Sequence, residues 1–170
     1  METVRAAEPA DVSTLVELGR QLRDELRTLR GGDLWTAREA RREPLTEAYT
    51  TLVARDDAHV VVGTLDGFVV GFGVLLVEQL DDGRRLGVVE ELYVEPGARQ
   101  VGVGEAVVAE LVAHGAAAGC LGVDARALPG HRAAKNFFEG AGFTARALVM
   151  HRPAEPGRAS GGAGRPAPSP

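Results

Sequence analysis

Lysine is almost missing from this chain: Lys135 is the only one, and no GlyLysSer or GlyLysThr occurs anywhere. A Walker loop needs that lysine to reach the outer phosphates of a nucleotide, so this class of site is excluded. Cysteine is as scarce. Cys120 stands alone, which rules out an internal disulfide, and its place in Cys120-Leu121-Gly122-Val123 suggests a buried strand thiol rather than a nucleophile. Basic charge is in deficit, with 19 Lys and Arg against 24 Asp and Glu, a net charge of −5 and a pI near 5.4. Affinity for nucleic acid or an anionic membrane comes from clustered cations, so neither is expected as a partner. Long apolar runs are also missing. The longest, Phe68 to Val77, contains two glycines and is far short of the ~20 residues that a membrane-crossing helix requires. With no signal-like apolar run after Met1, the chain reads as cytoplasmic. His59, His114, His131 and His151 have no ligand-like spacing with carboxylates or cysteine, so no metal is expected.

What remains is a chain of 170 residues, 45% hydrophobic, long enough for one buried core and too short for two ordinary domains. Thr3 to Ala6 forms a short first strand, and Asp11 is placed to cap a helix. Leu15, Leu18, Leu22, Leu26 and Leu29 recur at three- and four-residue spacing, which predicts an amphipathic helix ended by Gly31 and Gly32. A loop through Asp33, Leu34 and Trp35 leads to a second helical region divided by Pro44. From His59 the period changes to two, and Asp66-Gly67 between apolar runs is a strong hairpin signal. A strand over 86–94, a helix over 105–118 and a strand from Cys120 make a crossover that returns the chain parallel. Arg132 to Glu139 forms the last helix and Phe143 to Arg152 a final strand. The residues after 152 are almost all Pro, Gly, Ala, Ser and Arg, so residues 153–170 are expected to be disordered.

The most informative segment joins the strand ending at Val94 to the helix that follows, through a turn carrying Arg99, Gly102 and Gly104. Glycines let the backbone approach an anion, and the first N–H groups of a helix lack intrahelical partners, so the turn is suited to a phosphate. The dinucleotide fingerprint is a rival, since Gly102 and Gly104 have its separation and Asp124 lies about 20 residues on. Its third glycine position is Val107, and about 45 residues are too few for the further strand and helix units it needs.

Arg99, two residues, Gly102, one residue, Gly104 resembles the pyrophosphate signature of the GNAT superfamily of N-acetyltransferases. Leu92-Tyr93-Val94-Glu95-Pro96 is similar to that family's fourth strand, and residues 133–143 are similar to its last helix and following turn. The resemblance covers about residues 3 to 152. It implies a single α/β domain (1–152) with a mixed, mostly antiparallel twisted sheet flanked by helices, in which two splayed parallel strands form an acetyl-CoA cleft. It further implies that Leu92, Tyr93 and Val94 line the pantetheine arm, with main-chain contacts from Leu92 and Val94. Arg99, Gln100, Val101, Gly102, Val103, Gly104 and Glu105 would take the pyrophosphate, and Asn136 and Phe138 would border the coenzyme.

Acetyl transfer to an amine needs a free lone pair, while an alkyl ammonium has a pKa near 10, so a base or water chain must take a proton. Glu90 and Glu91 are the candidates. Strand alternation lets only one of them face the cleft, and resemblance to polyamine-type members favours Glu90 through water. Many relatives carry a tyrosine acid where this chain has Phe138, which cannot donate a proton; Tyr93, Tyr49, His131 or water could substitute. Relatives commonly end in a hairpin over the acceptor cleft, but this chain has room for one strand, which favours a bulky acceptor or a homodimer. Glu78, Glu90, Glu91 and Asp81 motivate a cationic acceptor such as a polyamine, an aminoglycoside-like compound or a peptide amine. The reading from another class is a protein that binds or senses acyl-CoA without turnover.

Overall fold

Alternation of Val60, Val61 and Val62 along one strand is what gives the molecule two cores. The computed structural model describes residues 1–154. Its strands are β1 (Glu2–Ala6), β2 (Ala58–Leu65), β3 (Phe68–Gln79), β4 (Arg85–Val94) and β5 (Cys120–Ala125). They lie side by side in that order, antiparallel except for the parallel pair β4–β5. The helices are α1 (Val12–Arg27), α2 (Gly32–Arg38), α3 (Leu45–Val53), α4 (Val103–Ala117) and α5 (Arg132–Gly140). Val60 and Val62 face α1 and α3, joining Leu15, Leu18, Leu45, Tyr49, Phe72 and Val74 in one core. Val61 faces the other way and packs with Leu75, Val89 and the α4 residues Val103, Val107 and Leu111.

Close approach of α4 to the sheet depends on two glycines. A Cβ on Gly63 would lie 2.6 Å from a methyl of Val103, and one on Gly73 would lie 2.7 Å from a methyl of Val107. The expected hairpin forms at Asp66 and Gly67, both at positive φ (49° and 86°), as a turn matched to strand twist requires.

The structure departs from the sequence-based expectation in four places. Helix α1 stops at Arg27, and Leu29 lies outside it. Asp33, Leu34 and Trp35 are helical rather than looped, because Gly31 (φ 84°) turns the chain and α2 starts at once, with Trp35 against the first core. Asp11 does not cap α1 with its side chain. Its carboxylate accepts from the Glu8 N–H at 2.8 Å and from Arg5 at 2.7 and 2.9 Å, closing the short 3-10 turn before the helix.

The fourth departure is at the C-terminus. Residues 143–154 form no strand, since no ladder partner meets them, and Leu148, Val149 and Met150 stay exposed. Arg146 ties this segment to β5 through an ion pair with Asp124 (Nε to Oδ1 2.7 Å). Cys120 opens β5 as expected but is only half-buried. Of the expected disordered tail, residues 155–170 lie outside the described residues.

Candidate active site

The site is organised by where β4 stops having a partner. β4 and β5 pair from Arg85–Cys120 to Val89–Ala125 and no further, so Glu90 to Val94 are bonded to β3 on one side and open on the other. Glu95 N–H donates to Val70 O at 2.8 Å, across to β3. Main-chain groups alternate sides along a strand, so those of Tyr93 and Glu91 also point to β3, and those of Leu92 and Val94 point into the opening.

Register also changes within this segment. Val74 lies opposite Glu91 and Leu75 opposite Val89, which makes Glu90 the surplus residue of a β-bulge. Across the bulge both glutamates reach one guanidinium. Arg41 Nη2 reaches Glu90 Oε2 at 2.9 Å and Glu91 Oε2 at 2.8 Å. Their environments still differ. The Glu90 side chain is 31% exposed and that of Glu91 is 6% exposed. Burial pushes the Glu91 carboxyl up, against the opposing pull of Arg41 and a hydrogen bond donated by Tyr49 at 3.0 Å. Tyr49 is itself fully buried, and burial followed by the Glu91 charge raises its pKa, so it keeps its proton. Its hydroxyl fits because residue 19 is glycine; a Cβ there would lie 2.2 Å from it.

Tyr93 points to the α1 side, where its hydroxyl donates to Gln21 Oε1 at 3.2 Å. Burial, then the nearby Glu25 carboxylate, raises its pKa as well. Arg99 lies over the Tyr93 ring at 5.4 Å, donates from Nε to Val94 O at 2.9 Å and pairs with Glu25 at 2.6 Å.

Beyond Arg99 the backbone reverses at Gln100 (φ 71°) and Gly102 (φ 93°) before entering α4. Among the described residues, no acceptor meets the N–H groups of residues 100–105. Val101 is exposed and Val103 is buried beneath the turn. A run of free N–H groups at a helix start has the geometry and partial charge that suit an anion. On its far side Phe137 of α5 packs on the turn, 3.2 Å from where a Cβ of Gly104 would stand. A groove of about 510 Å³ continues from Glu105 between α4 and α5, lined by Val108, Asn136 and Phe137. Phe138 does not line this groove; its ring meets Phe137 and Phe143 edge-on at 5.5 and 5.4 Å.

Glu90, Glu91 and Tyr93 thus lie on the stretch of β4 that has no β5 partner and leads to the 99–105 turn, with the Glu91 side chain buried and that of Tyr93 turned to α1. Glu78 and Asp81 lie apart from that stretch. Glu78 pairs opposite Leu86, four residues before Glu90 on a strand rising ~3.3 Å per residue, and Asp81 lies in the turn beyond. Sequence reasoning missed Arg41, Gln21 and Glu25. Gln21 and Glu25 carried a faint signal, being four apart on the polar side of α1; Arg41 lies in a charged loop 50 residues from its partner and carried none. Among the described residues no group of three or more His, Cys, Asp or Glu could hold a metal.

A five-stranded mixed sheet whose parallel pair parts beside a glycine turn defines the α/β class of this chain. The family model for the acetyltransferase (GNAT) family matches residues 21–143, and this chain belongs to that family, whose members use acetyl-CoA. Solved structures agree on the fold. Glucosamine-6-phosphate N-acetyltransferase from Arabidopsis thaliana is 21% identical, with TM-score 0.66 over 91% of this chain and 99% of its own. AAC(6')-Iy, in complex with the bisubstrate analog CoA-S-monomethyl-acetylneamine, is 17% identical, with TM-score 0.72 over 91% and 99%. A tetramutant of the BH1408 protein from Bacillus halodurans is 18% identical, with TM-score 0.76 over 89% and 99%. Comparison with curated proteins gives no match.

Proposed function

We propose that this chain is an N-acetyltransferase that moves the acetyl group of acetyl-CoA to a primary amine by direct attack. The observation that carries this reading is the unpaired side of β4 from Glu90 to Val94, running straight into the free N–H groups of residues 100–105. Leu92 and Val94 offer main-chain groups to the pantetheine as an added strand would. Arg99, Gln100, Val101, Gly102, Val103, Gly104 and Glu105 surround the diphosphate, chiefly by N–H groups. Asn136 and Phe138 belong to the α5 wall, Asn136 directly on the groove and Phe138 as support for Phe137.

The amine nitrogen attacks the thioester carbon, the carbonyl oxygen takes the negative charge and is held by a strand N–H, and the C–S bond then breaks as the nitrogen gives up its second proton, which replaces the one delivered to the sulfur. Glu90 is the base, taking the ammonium proton through water, because its side chain reaches solvent while Glu91 is buried between Arg41 and Tyr49. Glu91 fixes Arg41, and Arg41 fixes Glu90. Tyr93 is the candidate donor to the departing sulfur once its hydroxyl leaves Gln21, since Tyr49 is fully buried on Glu91 and Phe138 has no proton to give.

One carboxylate charge remains after Arg41 is counted against Glu90 and Glu91, which suits a cationic amine such as a polyamine, an aminoglycoside-like compound or a peptide amine. The strandless stretch after Phe143 leaves that side open to a bulky acceptor or to a second copy. Among the described residues no helix is long and apolar enough to cross a membrane, and a cytoplasmic location fits the supply of coenzyme.

Coenzyme thiol release across an amine panel, with calorimetry of acetyl-CoA binding, tests the reading. Release with some amine is expected, and Glu90→Gln should lower the rate and displace its pH profile; an unchanged profile would remove Glu90 from the role. A second reading has its own support in Phe138 and in the engagement of both glutamates by Arg41. Tight acyl-CoA binding without release for any amine would make the chain a coenzyme-sensing protein.

A further inference from the structure

Three polar side chains from three segments meet at the mouth of the opening, and the reaction as proposed uses only one of them. Glu25, in the last turn of α1, sets Oε2 2.6 Å from Arg99 Nη2 and Oε1 3.6 Å from His131 Nε2. Arg99 follows β4, and His131 precedes α5 beyond β5, so one carboxylate spans the two sides of the gap. The same Arg99 side chain covers Val94 O at 2.9 Å, a main-chain acceptor on the open side of β4. The Glu25 side chain is 29% exposed and that of Arg99 40%, so the bridge lies at the entrance rather than in the core. Gln21, one turn earlier on the same face of α1, holds the Tyr93 hydroxyl at 3.2 Å and fixes that face against β4.

We propose that Glu25 is a positioning residue that latches the coenzyme entrance: its carboxylate occupies Arg99 and His131 as an internal stand-in for the diphosphate, and coenzyme binding exchanges one anion for the other. This rests on the acetyl-CoA reading and adds to it. The exchange frees Val94 O for the pantetheine and turns Arg99 toward the N–H groups of residues 100–105. A carboxylate carries one charge and a diphosphate two, so the incoming group wins the exchange at the cost of breaking the Glu25 contacts. Glu25→Gln removes that cost and leaves the shape of the residue unchanged.

The experiment is a double-mutant cycle read by calorimetry of free coenzyme A with the full chain, the four proteins being the unmodified chain, Glu25→Gln, Arg99→Met and the double variant. Glu25→Gln should tighten binding about fivefold or more when Arg99 is present, the lower end of ordinary coupling between sites, and less than twofold when residue 99 is methionine. Its melting temperature should stay within a few degrees, a pattern that a merely structural role for Glu25 would not produce. Equal tightening in both backgrounds would reduce Glu25 to a general repulsion of phosphate and overturn the latch, as would unchanged or weakened binding by Glu25→Gln. Coenzyme binding by the unmodified chain without any Glu25 effect defeats the latch alone; no binding by the unmodified chain defeats the acetyl-CoA reading with it.

Discussion

The chain up to Leu111 and the chain after Ala118 are built to different standards. Among the described residues every buried hydrophobic side chain lies at or before Leu111, whereas α5 buries none and β5 is half-buried or exposed throughout. Yet α5 has as clear an amphipathic pattern as α1. The difference teaches that spacing announces a face without announcing what covers it. Helix α1 lays its leucines on a complete sheet, while α5 lays Phe137 on a glycine turn and leaves a groove against α4. One part is a platform; the other is a wall held by few contacts, beside the opening where a ligand would add more.

The sharpest test of this contrast compares two phenylalanines. Phe72 is fully buried with its ring edge-on to Tyr49 at 5.9 Å, and Phe72→Ala should cost about 3–5 kcal/mol. Phe138 is only half-buried, and Phe138→Ala should cost less than about 1.5 kcal/mol, the scale of partial burial of one aromatic. Equal losses in denaturant unfolding would erase the distinction between platform and wall.

A smaller effect probes the polar part of the platform. Tyr49→Phe strips a donor from buried Glu91 and should cost about 1–3 kcal/mol by urea unfolding at neutral pH. No loss would mean that Arg41 satisfies Glu91 unaided.

The smallest effect is a pH dependence at the far end of α4. His59 stacks on His114 with ring centroids 3.8 Å apart, and burial, then the neighbouring His114, lowers its pKa below the ordinary 6.5, while Glu110 at 3.4 Å opposes the shift. A histidine held neutral in the fold binds a proton more readily once unfolded, so its contribution is complete above about pH 6.5 and fades as pH falls through that value. The urea midpoint should therefore drop between pH 7 and pH 5, and His59→Asn should flatten that drop. An equally steep drop in the variant would take the effect away from His59; Asp11 and Asp57, whose pKa values their arginine partners lower from the ordinary carboxylate range, lose their contribution only at more acid pH.

Much of this was legible in the residues, for identifiable reasons. The platform follows from periodicity, and the glycine turn from Arg99, Gly102 and Gly104, because both are local. The bulge at Glu90 was not legible: it depends on how many residues β3 sets opposite β4, a property of the pair and not of either strand. Arg41 was hidden for the same reason, since a loop arginine is tied to its carboxylates only by the fold. The strand expected from Phe143 failed because its β-forming composition was read without asking which edge it would join. The start of α2 was missed because Gly31 and Gly32 look alike in sequence, though one turns the chain and the other begins the helix.

The extra residue at Glu90 also indexes the sheet. A regular strand can slide along its neighbour by two places and still keep each side chain on its proper face, so hydrophobic alternation alone leaves several alignments nearly equivalent. A kinked strand has only one alignment in which the kink meets the matching step between Val74 and Leu75, and any slide would set it against straight backbone. Deleting Glu90 would therefore do more than remove a carboxylate: Val89 and Glu91 already face opposite sides, so β4 would become a straight strand with every side chain on its present face, and the alignment of the ribbon would rest on hydrophobic alternation alone.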